Sequence, residues 1–188
     1  MSDASAALGD RPLDDATIDA STTHYAEARL ADDVALASVF VFRLGSEWFG
    51  LPTSLLVRVA VPPTVHSLPH RRGSALAGLV NVGGDLVVHV SLSGLLGIPA
   101  GATALGATGA RQSVPRLVVL GDARGRLATT VDEVWGVHHH DPARLRAAPP
   151  TLTRAPTSFT TAMLELDGHM VACLDAARVM DALSSALA

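Results

Sequence analysis

The chain has 188 residues, of which 48% are hydrophobic and 17% charged, and its formal net charge is -4. This composition predicts one compact domain, or two small ones that share an interface. The basic residues are all arginines and are scattered along the chain, so a nucleic-acid partner is not expected. No apolar run approaches the roughly 18 residues that a membrane span needs, and the single cysteine excludes an internal disulfide. We therefore expect a cytoplasmic protein without direct membrane insertion.

The first 33 residues are rich in Ala, Ser, Thr and Asp and poor in large apolar side chains. Residues 1–33 are therefore predicted to be a disordered acidic tail, and residues 34–188 the folded part. Short Val-rich runs then predict strands more than helices. Residues 40–44 and 47–51 are predicted to form a first hairpin around the turn at Gly45, and Pro52 ends its second strand because proline has no N–H for the ladder.

A third strand is predicted over residues 55–61. Simple alternation divides its residues between two faces, with one face formed by Leu55, Val57, Val59 and Val61, and the other by Leu56, Arg58 and Ala60. An apolar residue beside an arginine leaves two alternatives open for Leu56. It either packs under a neighbouring loop or contacts a partner.

The centre of the chain, residues 78–92, is predicted to form a second hairpin. Gly83 and Gly84 supply the positive φ angles that a two-residue hairpin turn requires. Alternation along the return strand predicts that one face lies in the core and the other is available to a partner. Residues 91–96 are predicted to form a helical turn that closes the first half of the fold.

Residues 100–114 are rich in Gly and Ala and are expected to be a flexible linker between two halves, residues 34–99 and 115–188. The second half contains further short apolar runs, and Asp167-Gly168 is a strong hairpin signal. Residues 141–158 are predicted to be a surface loop, and Asp175 to be the N-cap of a closing helix. Many short strands with turn signals predict small barrels or a sandwich.

Two groups of residues could carry chemistry. Asp85, His89 and Ser91 share one predicted strand face, but alternate strand residues lie roughly 6.6 Å apart, whereas a catalytic triad needs direct hydrogen bonds. His138 and His140 would point to one side of a strand and could begin a zinc or nickel site, and such a metal-dependent enzyme would purify with stoichiometric metal. Their spacing indicates no third ligand, so we expect neither catalysis, nor a metal, nor a cofactor.

An ordered set of motifs resembles the CheW family, the coupling proteins of bacterial chemosensory arrays. The resemblance covers residues 39–188, and its motifs are Phe42-Arg-Leu-Gly45, Glu47-Trp-Phe-Gly-Leu-Pro52, Leu68-Pro69, Gly78-Leu-Val-Asn81-Val, Gly84, Leu92, Leu96-Gly97-Ile-Pro99, Val131-Asp132-Glu-Val134, Pro149-Pro150, Asp167-Gly168 and Leu174-Asp175. It implies two intertwined SH3-like five-stranded β-barrels with a C-terminal helix, and no catalysis. It also implies two partners. The first barrel binds the regulatory domain of a CheA-type histidine kinase, and the groove between the barrels binds the cytoplasmic tip of a chemoreceptor.

The chain departs from the family pattern at several positions. Gly83 stands where the family usually has an arginine that engages the receptor, and the other departures are Ser91 for an aspartate, Val88 for a proline and Ala128 for a glycine. An arginine offers several donors in a fixed fork that other residues do not replace easily. The receptor-side surface is expected to comprise Leu56, Arg58, Gly83 and Gly84, with Leu117 and Val118 across the groove.

The main hypothesis is a non-enzymatic adaptor that couples chemoreceptors to a CheA-type histidine kinase in chemotaxis or a related chemosensory pathway. The alternative keeps the fold and changes the partner. In that case the chain is a divergent adaptor that binds a localisation factor, or the kinase alone, because the receptor-contacting arginine is replaced by Gly83.

Overall fold

The structure is a computed structural model that describes residues 36–67, 76–98, 114–149 and 159–185. The predicted tail, nearly all of the predicted linker and the second part of the predicted loop 141–158 lie outside the described residues. The strands, in chain order, are β1 (Ala37–Leu44), β2 (Glu47–Pro52), β3 (Leu56–Ala60), β4 (Leu76–Val82), β5 (Asp85–Val90), β6 (Arg116–Asp122), β7 (Gly125–Val131), β8 (Glu133–His140), β9 (Arg146–Ala147), β10 (Thr160–Leu166) and β11 (His169–Leu174). The helices are α1 (Leu92–Leu96) and α2 (Ala176–Ser185).

The predicted hairpins are confirmed at their turns. Leu44 pairs with Glu47 in β1–β2, so two residues connect these strands. The β4–β5 turn uses Gly83 at φ 66° and Gly84 at φ 102°, and the β10–β11 turn uses Asp167 at φ 44° and Gly168 at φ 79°. Two successive positive φ angles match the right-handed twist of the flanking strands, which is why these dipeptides predict hairpins.

The strands form two sheets that both draw on the two halves of the chain. The first sheet has the order β8-β1-β2-β11-β10-β9, and the second has the order β3-β6-β7-β5-β4. Neighbouring strands are antiparallel except for β2 with β11 and β5 with β7, which are parallel. Each parallel pair joins a strand of the first half to a strand of the second. The halves are therefore intertwined, as the resemblance implied.

A shared core lies between the sheets. It includes Phe40 and Phe42 of β1, Val118 and Leu120 of β6, and the buried face of α2. The opposite faces carry clusters of their own, with Val39, Val41, Leu164 and Val171 in the first sheet, and Val80, Val87, Leu117, Val119 and Ala128 in the second. Ala60 on one edge strand and Val82 on the other both pack against the second sheet's cluster. This sheet is therefore curled into a barrel-like shape.

The closing helix begins where the sequence predicts it. The Asp175 carboxylate accepts a hydrogen bond from the Arg178 backbone N–H at 3.0 Å, which satisfies a donor of the first turn. Val179, Met180 and Leu183 are buried against the shared core. The predicted N-cap and apolar stripe are confirmed in the described part of the helix.

Two expectations about local structure are wrong. The predicted loop 141–158 includes β9, which pairs with β10 at the edge of the first sheet. The β5 hairpin strand does not have one buried face and one open face, because Val87 is buried and Leu86 is 70% exposed. The curled sheet covers both faces of β5 away from the turn, and neither face at the turn.

Candidate partner-binding surface

The edge strand β3 lies at one end of the second sheet and, among the described strands, pairs with β6 alone. Its register shifts between Leu56 and Arg58, so Val57 is an extra residue in a β-bulge. Leu56 and Val59 therefore share the face towards the space between the sheets, while Arg58 and Ala60 share the face towards the barrel interior. The alternation expected for residues 55–61 is wrong from Val57 onwards, because a one-residue shift moves every later side chain to the other face.

Apolar side chains are exposed along this edge. Val57 is 49% exposed and Val59 is 38% exposed. Leu56 is half-buried and packs against the shared core, which favours the first of its two alternatives. An unpaired strand edge with apolar side chains is a common template for a partner chain.

A small cavity of about 140 Å³ opens beside β3. It is lined by side chains from β3, the β4–β5 hairpin, β6 and β7, namely Val57, Arg58, Val82, Asp85, Val87, Val119 and Arg126. The Arg58 guanidinium lies against the hairpin turn, since a Cβ added at Gly83 would be 2.9 Å from Nη1 of Arg58. We call Val57, Arg58, Val82, Gly83 and Gly84 the Arg58 surface.

The hairpin turn of the Arg58 surface is exposed, and a hydrogen bond to the Asn81 side chain stabilises it. The Gly84 N–H donates to Oδ1 of Asn81 at 2.8 Å. Beside the turn, Arg126 is 3.6 Å from the carboxylate of Asp85. The structure thus brings together three of the predicted residues, Arg58, Gly83 and Gly84, at one end of the second sheet, while Leu56 packs against the shared core.

The other two predicted residues are not at the surface. Leu117 is 0% exposed and Val118 is 1% exposed, so the expectation that they line a receptor-side surface is wrong. Both lie on β6, which has β3 on one side and β7 on the other. Leu117 packs in the barrel interior and Val118 in the shared core. A central strand of a curled sheet offers neither face to a partner.

A group of aromatic rings lies in the first sheet, and the sequence did not predict their contact. The Trp48 and Trp135 rings are 5.1 Å apart between centroids, and the His169 ring is 5.3 Å from Trp135. Both tryptophans are half-buried and pack against the cluster of Val39, Val41, Leu164 and Val171 in the first sheet. The Arg43 guanidinium is 6.0 Å from the Trp48 ring.

The consecutive histidines at the end of β8 have separate environments. His138 packs edge-on against Trp135 at 4.8 Å, and Nδ1 of His139 is 2.9 Å from the Ser38 hydroxyl. His140 is buried, and desolvation lowers the pKa of its imidazole. Within the described ranges, no three His, Cys, Asp or Glu side chains come together as a metal site.

Asp85, His89 and Ser91 also have different partners. The Asp85 carboxylate faces Arg126, Nε2 of His89 is 2.9 Å from the Thr130 hydroxyl, and the Ser91 hydroxyl accepts the Gly94 N–H as the N-cap of α1. Burial lowers the pKa of His89 and raises the pKa of the half-buried Cys173 thiol to about 11. A thiol with this pKa is protonated near neutral pH and is a poor nucleophile.

Two sheets enclose a shared core, and the exposed edge strand β3 of the second sheet offers apolar surface of the kind that protein-binding domains use. Comparison with family models matches residues 38–184 to the CheW-like domain, so the chain belongs to that family. Members of the family are non-enzymatic scaffolds of chemotaxis, and the chain is accordingly an adaptor or scaffold.

One similar solved structure is the scaffolding protein TtCheW from Thermoanaerobacter tengcongensis. It is 20% identical, has a TM-score of 0.59, and the match covers 75% of this chain and 85% of that chain. This likeness supports the fold. No match was found among curated proteins. Neither helix that the structure describes is long and apolar enough to cross a membrane.

Proposed function

We propose that this adaptor acts in the cytoplasm and couples a chemoreceptor to a CheA-type histidine kinase in chemotaxis or a related chemosensory pathway. The observation that carries the proposal is the exposed Arg58 surface on a chain of the CheW-like family. Coupling needs two contacts, one with the cytoplasmic tip of the receptor and one with the regulatory domain of the kinase. We expect the kinase domain to bind outside the Arg58 surface.

The Arg58 surface is the proposed receptor side. Its valines offer apolar contact area, and the bulge at Val57 interrupts regular pairing along this edge. Bulges discourage uncontrolled strand addition, so docking of a helix on the apolar side chains is favoured over β-augmentation here. Leu56 supports this surface from below, since it packs against the shared core.

The proposal predicts that the purified chain binds a fragment of its host's receptor tip and the regulatory domain of its host's kinase, each at micromolar strength. Isothermal titration against each protein separately measures this. Val57→Asp should weaken binding to the receptor fragment roughly tenfold or more, because it places a charge in an apolar contact. Its binding to the kinase domain should stay unchanged.

The matched control is Val137→Asp. Val137 is also 49% exposed and also lies on an edge strand, β8, but in the other sheet. This variant should bind the receptor fragment as the natural chain does. Binding of the natural chain to neither partner would refute coupling. Binding to the kinase domain alone would support the divergent adaptor, which the glycine at position 83 favours.

A further inference from the structure

We infer that Arg58 supplies, from the edge strand β3, the guanidinium with which the Arg58 surface binds a carboxylate of its partner, and that Gly83 leaves room for this guanidinium. The partner that fits is a helix with an Asp or Glu beside apolar residues. The inference rests on the proposed function, because it names the chemistry of the proposed receptor contact.

The first support is the crowding between the two residues. Nη1 of Arg58 lies 2.9 Å from the position that a Cβ of residue 83 would occupy. Any side chain at position 83 therefore displaces the guanidinium from its present place. The displacement costs the fold little, since the end of an arginine side chain is flexible, but it moves the donors away from the cavity. An arginine at position 83 and Arg58 in its present position exclude each other.

The second support is charge. Arg126, in the wall of the same cavity, faces Asp85, and Arg124, in the turn of the β6–β7 hairpin, is paired with Asp122 and Asp181. Arg58 has no acidic partner among the described residues. Its planar fork of donors matches a carboxylate in two parallel hydrogen bonds, so an acidic side chain from outside is the complementary group.

The third support is the partly apolar setting. The cavity walls beside Arg58 include four valines, Val57, Val82, Val87 and Val119, together with the paired side chains of Asp85 and Arg126. The cavity volume is about 140 Å³, whereas a water takes about 30 Å³ in the liquid. The end of a side chain from the partner can therefore enter the cavity. When a partner covers these walls and excludes water, the attraction between the guanidinium and a carboxylate is strengthened.

The test uses the full chain and a fragment of the host's receptor tip in titrations of five variants. Arg58→Ala should weaken binding roughly tenfold or more, since hydrogen bonds to charged groups are among the stronger ones. Gly83→Ala should lose a comparable share of affinity by displacing Arg58. The double variant Arg58→Ala with Gly83→Ala should bind no more weakly than Arg58→Ala alone, because the glycine acts through the guanidinium.

The matched control for the glycine is Gly84→Ala. Gly84 also has a positive φ, 102°, so it imposes a similar backbone strain, but a Cβ there meets nothing within 4 Å. This variant should keep its affinity. Arg144→Ala, which removes an exposed arginine from the connection between β8 and β9, controls for net charge. In addition, one Asp or Glu of the receptor fragment, changed to its amide, should weaken binding to the natural chain but not to Arg58→Ala.

The outcomes separate the two proposals. If the natural chain binds the fragment and either Arg58→Ala or Gly83→Ala binds equally well, the guanidinium role is wrong and receptor coupling stands. If Gly84→Ala loses as much affinity as Gly83→Ala, turn strain rather than Arg58 explains the effect, and the role of Gly83 is wrong. If the natural chain does not bind the fragment, receptor coupling and this inference fail together.

Discussion

His89 is a buried imidazole with only part of its hydrogen-bonding capacity used. Nε2 lies 2.9 Å from the Thr130 hydroxyl, while Nδ1 has no partner among the described residues. Burial penalises the charged ring and lowers its pKa in the folded chain. His140 is similar, because it too is buried with an unpartnered Nδ1 and a pKa lowered by desolvation.

These lowered pKa values give a direction for the pH dependence of stability. As the pH falls through about 6.5, histidines in the unfolded chain take up protons while the buried rings stay neutral. The unfolded state then binds more protons, so the free energy of unfolding decreases. The decrease ends once the pH is below the folded pKa values. Acidification within this window therefore destabilises the fold.

We predict that the free energy of unfolding falls between about pH 7.5 and about pH 5.5, and that His89→Gln reduces this fall. Glutamine keeps a polar group near the Thr130 hydroxyl but does not titrate. Urea unfolding at the two pH values measures the effect. Val137→Gln, at an exposed position of β8 without a titrating side chain, is the control and should leave the pH dependence unchanged. Equal pH dependence in His89→Gln and the natural chain would contradict the role of His89.

Residue identity alone did not predict which candidate residues are accessible. Alternation shows which residues share a face, but it does not show what covers that face. The resemblance made Leu117 and Val118 seem available to a partner, although β6 is a central strand with clusters on both sides. Arg58 and Gly83 were predicted together from the resemblance, whereas the approach of the Arg58 guanidinium to the turn at Gly83 depends on a bulge that the sequence does not signal.

At the level of elements, the outer edge of β4 is covered by a short backbone bridge. His66 and Leu79 exchange both backbone hydrogen bonds, at 2.8 and 2.9 Å. Gly78 makes this close approach possible, since a Cβ there would lie 2.3 Å from the His66 carbonyl oxygen. Unlike the end of an arginine, this carbonyl is backbone and cannot move aside without breaking the bridge.

We predict that Gly78→Ala lowers the free energy of unfolding by about 2 kcal/mol more than Gly125→Ala does. The two glycines have similar φ angles, 154° and 146°, but a Cβ at Gly125 meets nothing within 4 Å. The difference between the variants therefore isolates the clash with His66 from the backbone strain. Urea unfolding of both variants measures it. Equal destabilisation of the two variants would show that the clash with His66 adds nothing to the loss in free energy of unfolding.

Elements joined by short turns were predictable, and contacts between distant elements were not. The β4–β5 and β10–β11 hairpins followed from Gly83-Gly84 and Asp167-Gly168, because the turn residues act locally. The parallel pairs β2–β11 and β5–β7 join strands that are far apart in sequence. No local pattern specifies such partners. Only the family resemblance implied that the halves are intertwined.

At the scale of the whole molecule, a single residue, Asp132, connects the second sheet to the first. β7 ends at Val131, β8 begins at Glu133, and Asp132 connects them. The Asp132 carboxylate accepts the Gly45 N–H at 2.6 Å, and its own N–H donates to the Arg43 carbonyl at 3.0 Å. Arg43 also pairs with Glu133 at 3.1 Å. The β7–β8 connection is thus hydrogen-bonded to the turn of the first hairpin.

We predict that neither half of the chain folds alone. A fragment of residues 36–98 lacks β6 and β7, which separate β3 from β5, and also β8 and β11, which flank the first hairpin. A fragment of residues 114–185 lacks the corresponding partners. Circular dichroism during urea titration should show no cooperative transition for either fragment, and the intact chain is the control. A cooperative transition in one fragment would show that its strands complete a core without the other half.

The parallel pairing of β2 with β11 also limits how early the first sheet can form during synthesis on the ribosome. The first hairpin is synthesised long before the strand that covers the edge of β2, which ends only at Leu174. At 5 to 20 residues per second, the intervening chain takes on the order of ten seconds to emerge. During that interval the nascent hairpin has Phe49 and Leu51 without their final neighbours. Chaperones that recognise short apolar segments therefore meet this protein as a nascent chain, before its two sheets can close.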